Sequence, residues 1–493
     1  MTYILAIDQG TTGSTANIVD SNGRSLGQVN HEYKQIYPKS GWVEHDPSDI
    51  WTSVRKAVSD VLTKTGVSQG ALTAIGITNQ RETVVVWDRI TGEPVYNAIV
   101  WQCRRTAEFC ESLKKRKLAN LIQKKTGLVI DPYFSASKIR WILENVEGAK
   151  TRAKNGDLVF GNIDSFLIWR LTNGELHVTD VSNASRTQLM NIESLQWDDD
   201  MLELFGIPNT MLPKIVPSSG VVGATTNREI FSRQIPISGI AGDQQAALFG
   251  QTCFEAGDAK CTFGTGSFVL LNTGNQLEIS KSGCVSTVAW QIGDQKPVYA
   301  MEGSAFICGA AVQWLRDGLG LIEKSSDVEA LAKEVSSTDG VVFVPALAGL
   351  GAPHWIPEAR GLLSGLSRGT TRAHIARAVL EGMALQNRDL MLAMEKDSGV
   401  KIKHLKVDGG ATRNDLLMQM QSDFLNAAVL RPKNVESTST GAAYLAGLGV
   451  GMWKNTKELK ATWELDKAFE PQIDKKTRAE FEDRWHAAVK RTQ

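Results

Sequence analysis

No stretch of this chain is apolar for the roughly 20 residues that a bilayer-spanning helix needs. Its six cysteines (Cys103, Cys110, Cys253, Cys261, Cys284 and Cys308) contain no C-x-x-C pair, so neither a disulfide framework nor a thiolate metal knuckle is expected. The seven histidines never fall at the spacing of a zinc site. Neither sign of charge is in excess: Lys+Arg and Asp+Glu both number 54, and nothing favours nucleic acid or an anionic membrane as partner. Low-complexity tracts and long charge runs are missing too. The N-terminus has no basic leader, and Asp8 interrupts its apolar run early, so it reads as a first strand and not as a signal peptide. A reduced, soluble, cytoplasmic protein is expected.

What is present is an α/β pattern. A chain of 493 residues exceeds one ordinary core, which predicts two large domains. Strand-like runs such as Ala74-Ile75-Gly76-Ile77-Thr78 and Thr83-Val84-Val85-Val86-Trp87 alternate with helical periodicity over 137–145, 374–394 and 414–426. The best junction falls at 249–257, giving domains of 1–250 and 251–493. The last stretch, 457–493, reads as charged and helical.

Two glycine-threonine turns lie half a chain apart. Asp8-Gln9-Gly10-Thr11-Thr12-Gly13-Ser14 follows the run Tyr3-Ile4-Leu5-Ala6-Ile7, and Phe263-Gly264-Thr265-Gly266-Ser267 precedes Phe268-Val269-Leu270-Leu271. A strand, a tight Gly/Thr turn and a second strand make a hairpin whose tip exposes N–H groups, and such a tip can hold phosphate oxygens without a lysine. One turn in each half suggests two similar domains gripping one polyphosphate. Asp8, at a strand end, can orient a hydrated Mg²⁺, which prefers one or two carboxylates with phosphate oxygens and water. Asp408-Gly409-Gly410 ends another strand just before a helix that begins near Asn414, where close backbone approach suits a flat ligand and the helix N-terminus suits an anion. Arg81 and Glu82 stand between two strands and can satisfy polyol hydroxyls. With Asp243, Trp101, Tyr133 and Phe268 they can wall a slot polar on one side and apolar on the other. Each of these features alone also fits a solvated loop, a core aromatic or, for Asp243, a helix cap. Together they point to a nucleotide-dependent phosphotransferase.

The longer motifs carry a family resemblance. Asp8-Gln-Gly-Thr-Thr12, Ile77-Thr-Asn-Gln-Arg-Glu-Thr83, Trp101-Gln-Cys-Arg-Arg-Thr106, Asp131-Pro-Tyr-Phe-Ser135, Gly239-Ile-Ala-Gly-Asp-Gln-Gln245 and Val407-Asp-Gly-Gly410 resemble the FGGY carbohydrate kinases of the actin-like ATPase superfamily, and within them the branch that phosphorylates glycerol. Residues 133–145 and 361–381 resemble the two family signatures, with Lys138 and Trp141 in place. The resemblance implies two actin-like (ribonuclease H-like) α/β domains with a ligand cleft between them. The N-terminal one is the substrate side and the C-terminal one the nucleotide side.

The resemblance also implies ATP-dependent conversion of glycerol to sn-glycerol 3-phosphate and ADP, the first step of glycerol catabolism, with Asp243 as general base. Glycerol contacts are implied for Arg81, Glu82, Trp101, Tyr133, Asp243, Gln244 and Phe268. Nucleotide contacts are implied for Thr11, Thr12, Gly13, Ser14, Thr265, Gly309, Gln313, Gly410 and Asn414, with Mg²⁺ at Asp8 and Asp243. A homo-oligomer, dimer or tetramer, is expected.

Two departures stand out. Thr15 occupies a position where the family commonly carries a phosphate-directed arginine. Residues 224–234 carry neither the Gly-rich regulatory stretch nor the activating histidine found in relatives. The alternatives are a kinase for a pentulose or another polyol, and an actin-like ATPase acting as a filament or chaperone, which needs the phosphate turns but not the Arg81-Glu82-Asp243 set.

Overall fold

The computed structural model describes residues 2–354, 356 and 358–492. Two mixed sheets dominate it. In the N-terminal half β1 (Tyr3–Gln9), β2 (Gly13–Asp20) and β3 (Ser25–Glu32) form an antiparallel meander. Then β4 (Leu72–Asn79) and β6 (Pro236–Gly242) run parallel to β1, and β5 (Ser219–Ala224) closes the edge, giving the order β5-β6-β4-β1-β2-β3. Ile4, Leu5, Ala6 and Ile7 of β1 are all buried, as expected of a central strand covered on both faces.

The C-terminal half repeats this plan. β7 (Asp258–Phe263), β8 (Ser267–Gly274) and β10 (Val298–Ala305) form the meander, β11 (His404–Asp408) and β12 (Ala428–Pro432) run parallel to β7, and β13 (Leu465–Phe469) adds an antiparallel edge. A further strand, β9 (Val285–Trp290), extends the meander beyond β10. The repeat is one of pairing and not of sequence: both glycine turns connect the first two strands of their sheet.

Helices cover the sheets at places the periodicity marks. α1 (Pro47–Thr65) starts on an Asp46 cap with proline in its first turn. α2 (Ser135–Asn145) begins two residues ahead of the predicted 137. α4 (Arg372–Ser398) exceeds the predicted 374–394 at both ends because Thr371 and His374 form a capping box before it and Gly399 ends it in the left-handed conformation. α5 (Asp415–Leu425) runs between an Asn414 cap and Asn426. The C-terminal stretch corrects the expectation of helix throughout. It contains the edge strand β13, in which Phe469 sits opposite Val429, before α7 (Lys475–Val489) docks Trp485, Ala488 and Val489 on the C-terminal core. Gln493 lies outside the described residues. The run around Val85–Asp88 is a strand but leaves the main sheet to pair with Leu158–Gly161.

The halves meet through two equivalent helices, α3 (Asp243–Gly250) after β6 and α6 (Ser437–Gly449) after β12. Ala442, Ala443 and Ala446 of α6 pack on Ile4, Ala6 and Ala74 of the N-terminal sheet, and Leu248 and Phe249 of α3 join a cluster with Leu270 and Trp290 of the other half. The contact is backbone on backbone. A Cβ at Gly441 would lie 1.8 Å from the Ala246 carbonyl oxygen, and one at Gly76 2.2 Å from that of Ala442.

Alanine outranks glycine in a helix by about 1 kcal/mol, so Gly441→Ala is a substitution that propensity alone would favour. The 1.8 Å approach reverses the sign, since overpacking of this kind costs about 1–3 kcal/mol or more. The variant should unfold at lower urea than the parent. An unchanged or raised midpoint would contradict the crossing.

Candidate active site

Each glycine turn is a short, braced hairpin tip. In the first, Gly10 N–H donates to Gly13 O at 2.9 Å, and the register closes with Gln9 opposite Ser14. Tyr33 Oη donates to the carbonyls of Gly10 and Thr11, and Gln35 Nε2 to that of Thr11. In the second, Gly264 N–H donates to Gly266 O at 2.9 Å. The chain at 308–310 locks it from behind: Gly309 N–H donates to Gly264 O, and Cys308 and Ala310 N–H donate to Thr265 O. Thr12 and Thr265 are exposed. Gly13 and Ser14 are not part of the open tip. Both are buried in β2, and the Ser14 hydroxyl is spent on Ser53 at 2.7 Å, so the hydroxyl is not among the groups the turn offers.

Between the turns lies a buried ionic quartet. Arg81 donates through Nη2 to Glu302 Oε1 at 3.0 Å and through Nη1 to Glu302 Oε2, and a further Nη1 bond reaches Gln245 Oε1 at 3.1 Å. Arg186 donates Nε to Glu82 Oε1 at 2.6 Å and Nη2 to Glu302 Oε1 at 3.0 Å. Burial disfavours the Glu302 carboxylate, but Arg186 and Arg81 outweigh it and hold its pKa at about 2. For Glu82 burial wins, and its carboxyl is raised despite the same two guanidiniums.

Asp243, first residue of α3, sits at the edge of the quartet with 30% of its side chain exposed, its Oδ1 3.1 Å from Arg81 Nε and accepting the Gln244 N–H at 2.7 Å. Gly242, not Asp243, is the helix cap. Burial raises the Asp243 carboxyl against Arg81, which pulls it down.

A cleft of about 690 Å³ opens over this floor, lined by Trp101, Tyr133, Gln244, Phe268, Thr265 and Glu302 among others. Trp101 and Tyr133 meet edge-on with centroids 5.6 Å apart, and the Trp101 Nε1–H donates to Thr11 Oγ1 at 3.0 Å, tying the aromatic wall to the first turn. The Tyr133 loop hangs on Lys138, whose buried Nζ donates to the carbonyls of Pro132, Tyr133 and Phe134 at 2.8, 2.5 and 2.7 Å. Burial draws this amine down to about 7, while three carbonyls match the three N–H bonds of the ammonium form.

Arg81 and Glu82, expected at the polyol itself, stand one layer deeper, 3% and 1% exposed. Arg81 reaches the lining through Tyr133 Oη at 3.3 Å and through Glu302.

A second cavity of about 540 Å³ continues past the Gly264-Thr265 turn, which lines both. Its walls bring together Thr265, Gly309, Gln313, Gly410 and Asn414. One expectation is corrected here. The first N–H groups of α5 are not open to an anion, because Asp415 N and Leu416 N donate to the Glu329 carboxylate at 3.3 Å and Asn414 Oδ1 caps Leu417 N. The Gly410–Asn414 segment is a wall for a flat group. A groove of about 760 Å³ along α1, lined by Arg55, Lys56, Gln69 and Glu229, shares no lining residue with either cavity.

Two family models match the chain: the N-terminal domain of the FGGY family of carbohydrate kinases over residues 3–250, and its C-terminal domain over 259–450. The chain belongs to the FGGY family of carbohydrate kinases. It is 57% identical over 489 residues to a glycerol kinase of Bdellovibrio bacteriovorus, covering 99% of both chains. Among solved structures it is similar to Plasmodium falciparum glycerol kinase with ADP, at a TM-score of 0.96 and 40% identity, covering 100% of this chain and 98% of that one. A xylulose kinase from Lactobacillus acidophilus shares the fold at a TM-score of 0.89 and 24% identity, covering 99% and 97% of the two chains.

Four participants in this FGGY site escaped sequence reading: Glu302, Arg186, Gln245 and Lys260. Glu302 and Lys260 had a readable signal, a charged residue inside an otherwise apolar strand (Tyr299-Ala-Met-Glu302 and Ala259-Lys260-Cys261). Arg186, in the polar run Ser185-Arg186-Thr187-Gln188, had none.

Asp8 is the candidate cation ligand. Among the described residues no hydrogen-bond donor reaches its carboxylate, and no group of three or more potential ligands forms a closed metal cage. Burial, then Asp243 and Glu436, push its pKa up to about 8. Asp8, coupled to Asp243 and without a donor of its own among the described residues, fits a cation that takes its remaining ligands from phosphate and water.

The folded pKa lies above the ordinary 3.8, so Asp8 contributes to stability when protonated, and that contribution is lost as pH rises through about 8. Asp8→Asn should raise the Tm of the ligand-free protein at about pH 9, with the gain shrinking towards about pH 4. A Tm difference independent of pH would refute this.

Proposed function

We propose that this chain transfers the γ-phosphoryl group of ATP to a terminal hydroxyl of glycerol, giving sn-glycerol 3-phosphate and ADP. The observation that carries this reading is the shared Gly264-Thr265 turn. The aromatic-walled cleft and the Gly410–Asn414 pocket both open on it, so a nucleotide in the second presents its phosphates to the first. The strong identity to glycerol kinases supports the choice of polyol. The N-terminal half, 1–250, supplies most of the substrate side and 251–493 the nucleotide side.

Asp243 accepts the proton of the attacking hydroxyl as its oxygen bonds to the γ-phosphorus and the bond to the β-phosphate oxygen breaks. Its burial raises its basicity, and Arg81 opposes that rise. Arg81 and Glu82 act from one layer below, Arg81 holding Tyr133 Oη and Glu302 in the floor that meets the other two hydroxyls, and Trp101, Tyr133 and Phe268 cover the carbon chain. Thr12 and Thr265 offer hydroxyls and N–H groups to the phosphates from opposite sides. Asp8 and Asp243 would hold a Mg²⁺ ion, which neutralises phosphate charge when bound. Catalysis is then mostly positioning and preorganised electrostatics.

Asp243→Asn preserves shape but cannot accept a proton. It should lower kcat on the order of 10²–10⁴-fold with glycerol and ATP still binding, and near-normal kcat would sink the mechanism.

Trp101 tests specificity. Trp101→Ala should raise KM for glycerol, by an amount worth about 1–3 kcal/mol, and admit erythritol or xylulose. Because the indole also holds Thr11, Trp101→Phe should spare the substrate profile and raise KM for ATP. The assay is a panel of glycerol, dihydroxyacetone, erythritol and xylulose, with ATP turnover in the absence of any polyol as the baseline. Turnover indifferent to polyol would favour an actin-like ATPase instead.

A further inference from the structure

Arg186 is 0% exposed and lines neither cavity, yet it contacts three residues that line the substrate cleft. Its Nη2 donates to Glu302 Oε1 at 3.0 Å, while its Nε donates to Glu82 Oε1 at 2.6 Å. Its guanidinium lies 5.7 Å from the ring centroid of Tyr133 and 5.4 Å from that of Phe134, within cation–π range. The chain on either side is pinned as well. Ser185 Oγ pairs with Thr287 Oγ1 of β9 at 2.8 Å, Thr187 O accepts the Ala136 N–H from α2, and Gln188 Nε2 donates to Val129 O in the cleft wall.

The two arginines of the quartet are not equivalent towards Glu82. Arg81 spends its Nη groups on Glu302, Gln245 and Tyr133, and its Nε lies 3.1 Å from Asp243 but 3.8 Å from Glu82 Oε1. Among the described residues Arg186 is the one hydrogen-bond donor that reaches the Glu82 carboxylate, and it uses Oε1 and leaves Oε2 free to accept. Glu82 itself sits in a strained turn. Its φ is +60°, in the left-handed region that residues other than glycine seldom occupy, and the Thr83 N–H donates across it to Arg81 O at 2.7 Å. Strain of this kind collects at ligand sites, where the surrounding structure holds it in place.

We propose that Arg186 is a positioning residue for polyol selectivity: its guanidinium holds the Glu82 and Glu302 carboxylates in fixed directions beneath the cleft, so that the floor accepts a triol and rejects an analogue lacking one hydroxyl. The proposal rests on the phosphotransferase reading above. A planar fork that donates to two carboxylates at once fixes both, which an ammonium on a flexible stem does not. Buried acceptors fixed in this way cannot turn to compensate for a missing hydroxyl, and the group left unpaired is what excludes the deoxy analogue.

The test compares kcat/KM for glycerol with that for propane-1,2-diol and propane-1,3-diol, each lacking one hydroxyl, in the parent, Arg186→Lys and Arg186→Met. The parent should prefer glycerol strongly. Arg186→Lys keeps the charge and loses the fork, and Arg186→Met loses both. Each should shrink the preference for glycerol by about tenfold or more. The fall should be carried by KM for glycerol with KM for ATP unchanged, since no member of the quartet lines the nucleotide cavity. A merely structural arginine would lower kcat/KM for all three alcohols by one common factor, so an unchanged preference in a folded variant overturns the proposal. A parent that turns over the diols as well as glycerol overturns it too. Taking one cation out of a buried cluster leaves its partners unpaired; if Arg186→Met does not fold for that reason, the preference of Arg186→Lys, which keeps the cluster neutral, decides. A parent with no polyol-dependent turnover at all would instead sink the phosphotransferase reading, an outcome distinct from an active parent whose variants keep its preference.

Discussion

Glu302 enters the molecule from β10 of the C-terminal half, and both guanidiniums that grip it, Arg81 and Arg186, come from the N-terminal half. This buried contact ties the floor of the cleft together across the seam. Two arginines and two glutamates cancel in charge, so the cluster can be taken out of water without leaving a net ion behind. Such clusters contribute little net stability, yet removing one member costs about 3–5 kcal/mol because the others are left unpaired. What the quartet does contribute is geometry. Arg81 simultaneously touches Glu302, Gln245, Tyr133 and Asp243. The position of the candidate base is therefore fixed by the same side chain that joins the halves.

The repeat explains why the seam is where the chemistry lies. Two sheets of equal pairing pattern each end a parallel strand in a helix, α3 or α6, and those helices cross at Gly441 with no room for a methyl group. Every functional turn then emerges on the same side: the hairpin tips after β1 and β7, the Arg81-Glu82 loop after β4, Asp243 after β6 and Gly410 after β11. Crevices at the carboxyl ends of parallel strands are the usual ligand sites of open α/β sheets. Here two such crevices face each other.

Much of this was legible in the sequence, for identifiable reasons. The strands around both turns are short apolar runs punctuated by glycine, so their hairpins followed from local chemistry. The helices over 137–145, 374–394 and 414–426 carry strong periodicity and caps, and their ends missed by only a few residues. Thr265, Gly309, Gln313, Gly410 and Asn414, far apart in the chain, line one cavity. What failed was orientation. Ser14 alternates inward because a strand has period two, and one residue decides which side a hydroxyl faces. The N–H groups before α5 look open until Glu329, 86 residues away in the chain, is seen to occupy them.

Long-range charge was the least legible layer. Arg186 and Glu302 are separated by 116 residues, and only the fold makes them partners. Their pairing changes the meaning of Arg81 and Glu82. Read from sequence, these are two polar residues free to bind hydroxyls. In the structure they are a buried, pre-paired floor whose remaining hydrogen-bonding capacity is limited to what the quartet leaves over, including Arg186 Nη1, which makes no hydrogen bond among the described residues. A polyol reaching that floor meets donors and acceptors already fixed in direction and shielded from water, where each added hydrogen bond discriminates strongly against a ligand that lacks the matching hydroxyl. On the proposed reaction, selectivity for a small triol comes from two opposed constraints: an aromatic wall that limits length and an ionic floor that demands hydroxyls at set positions.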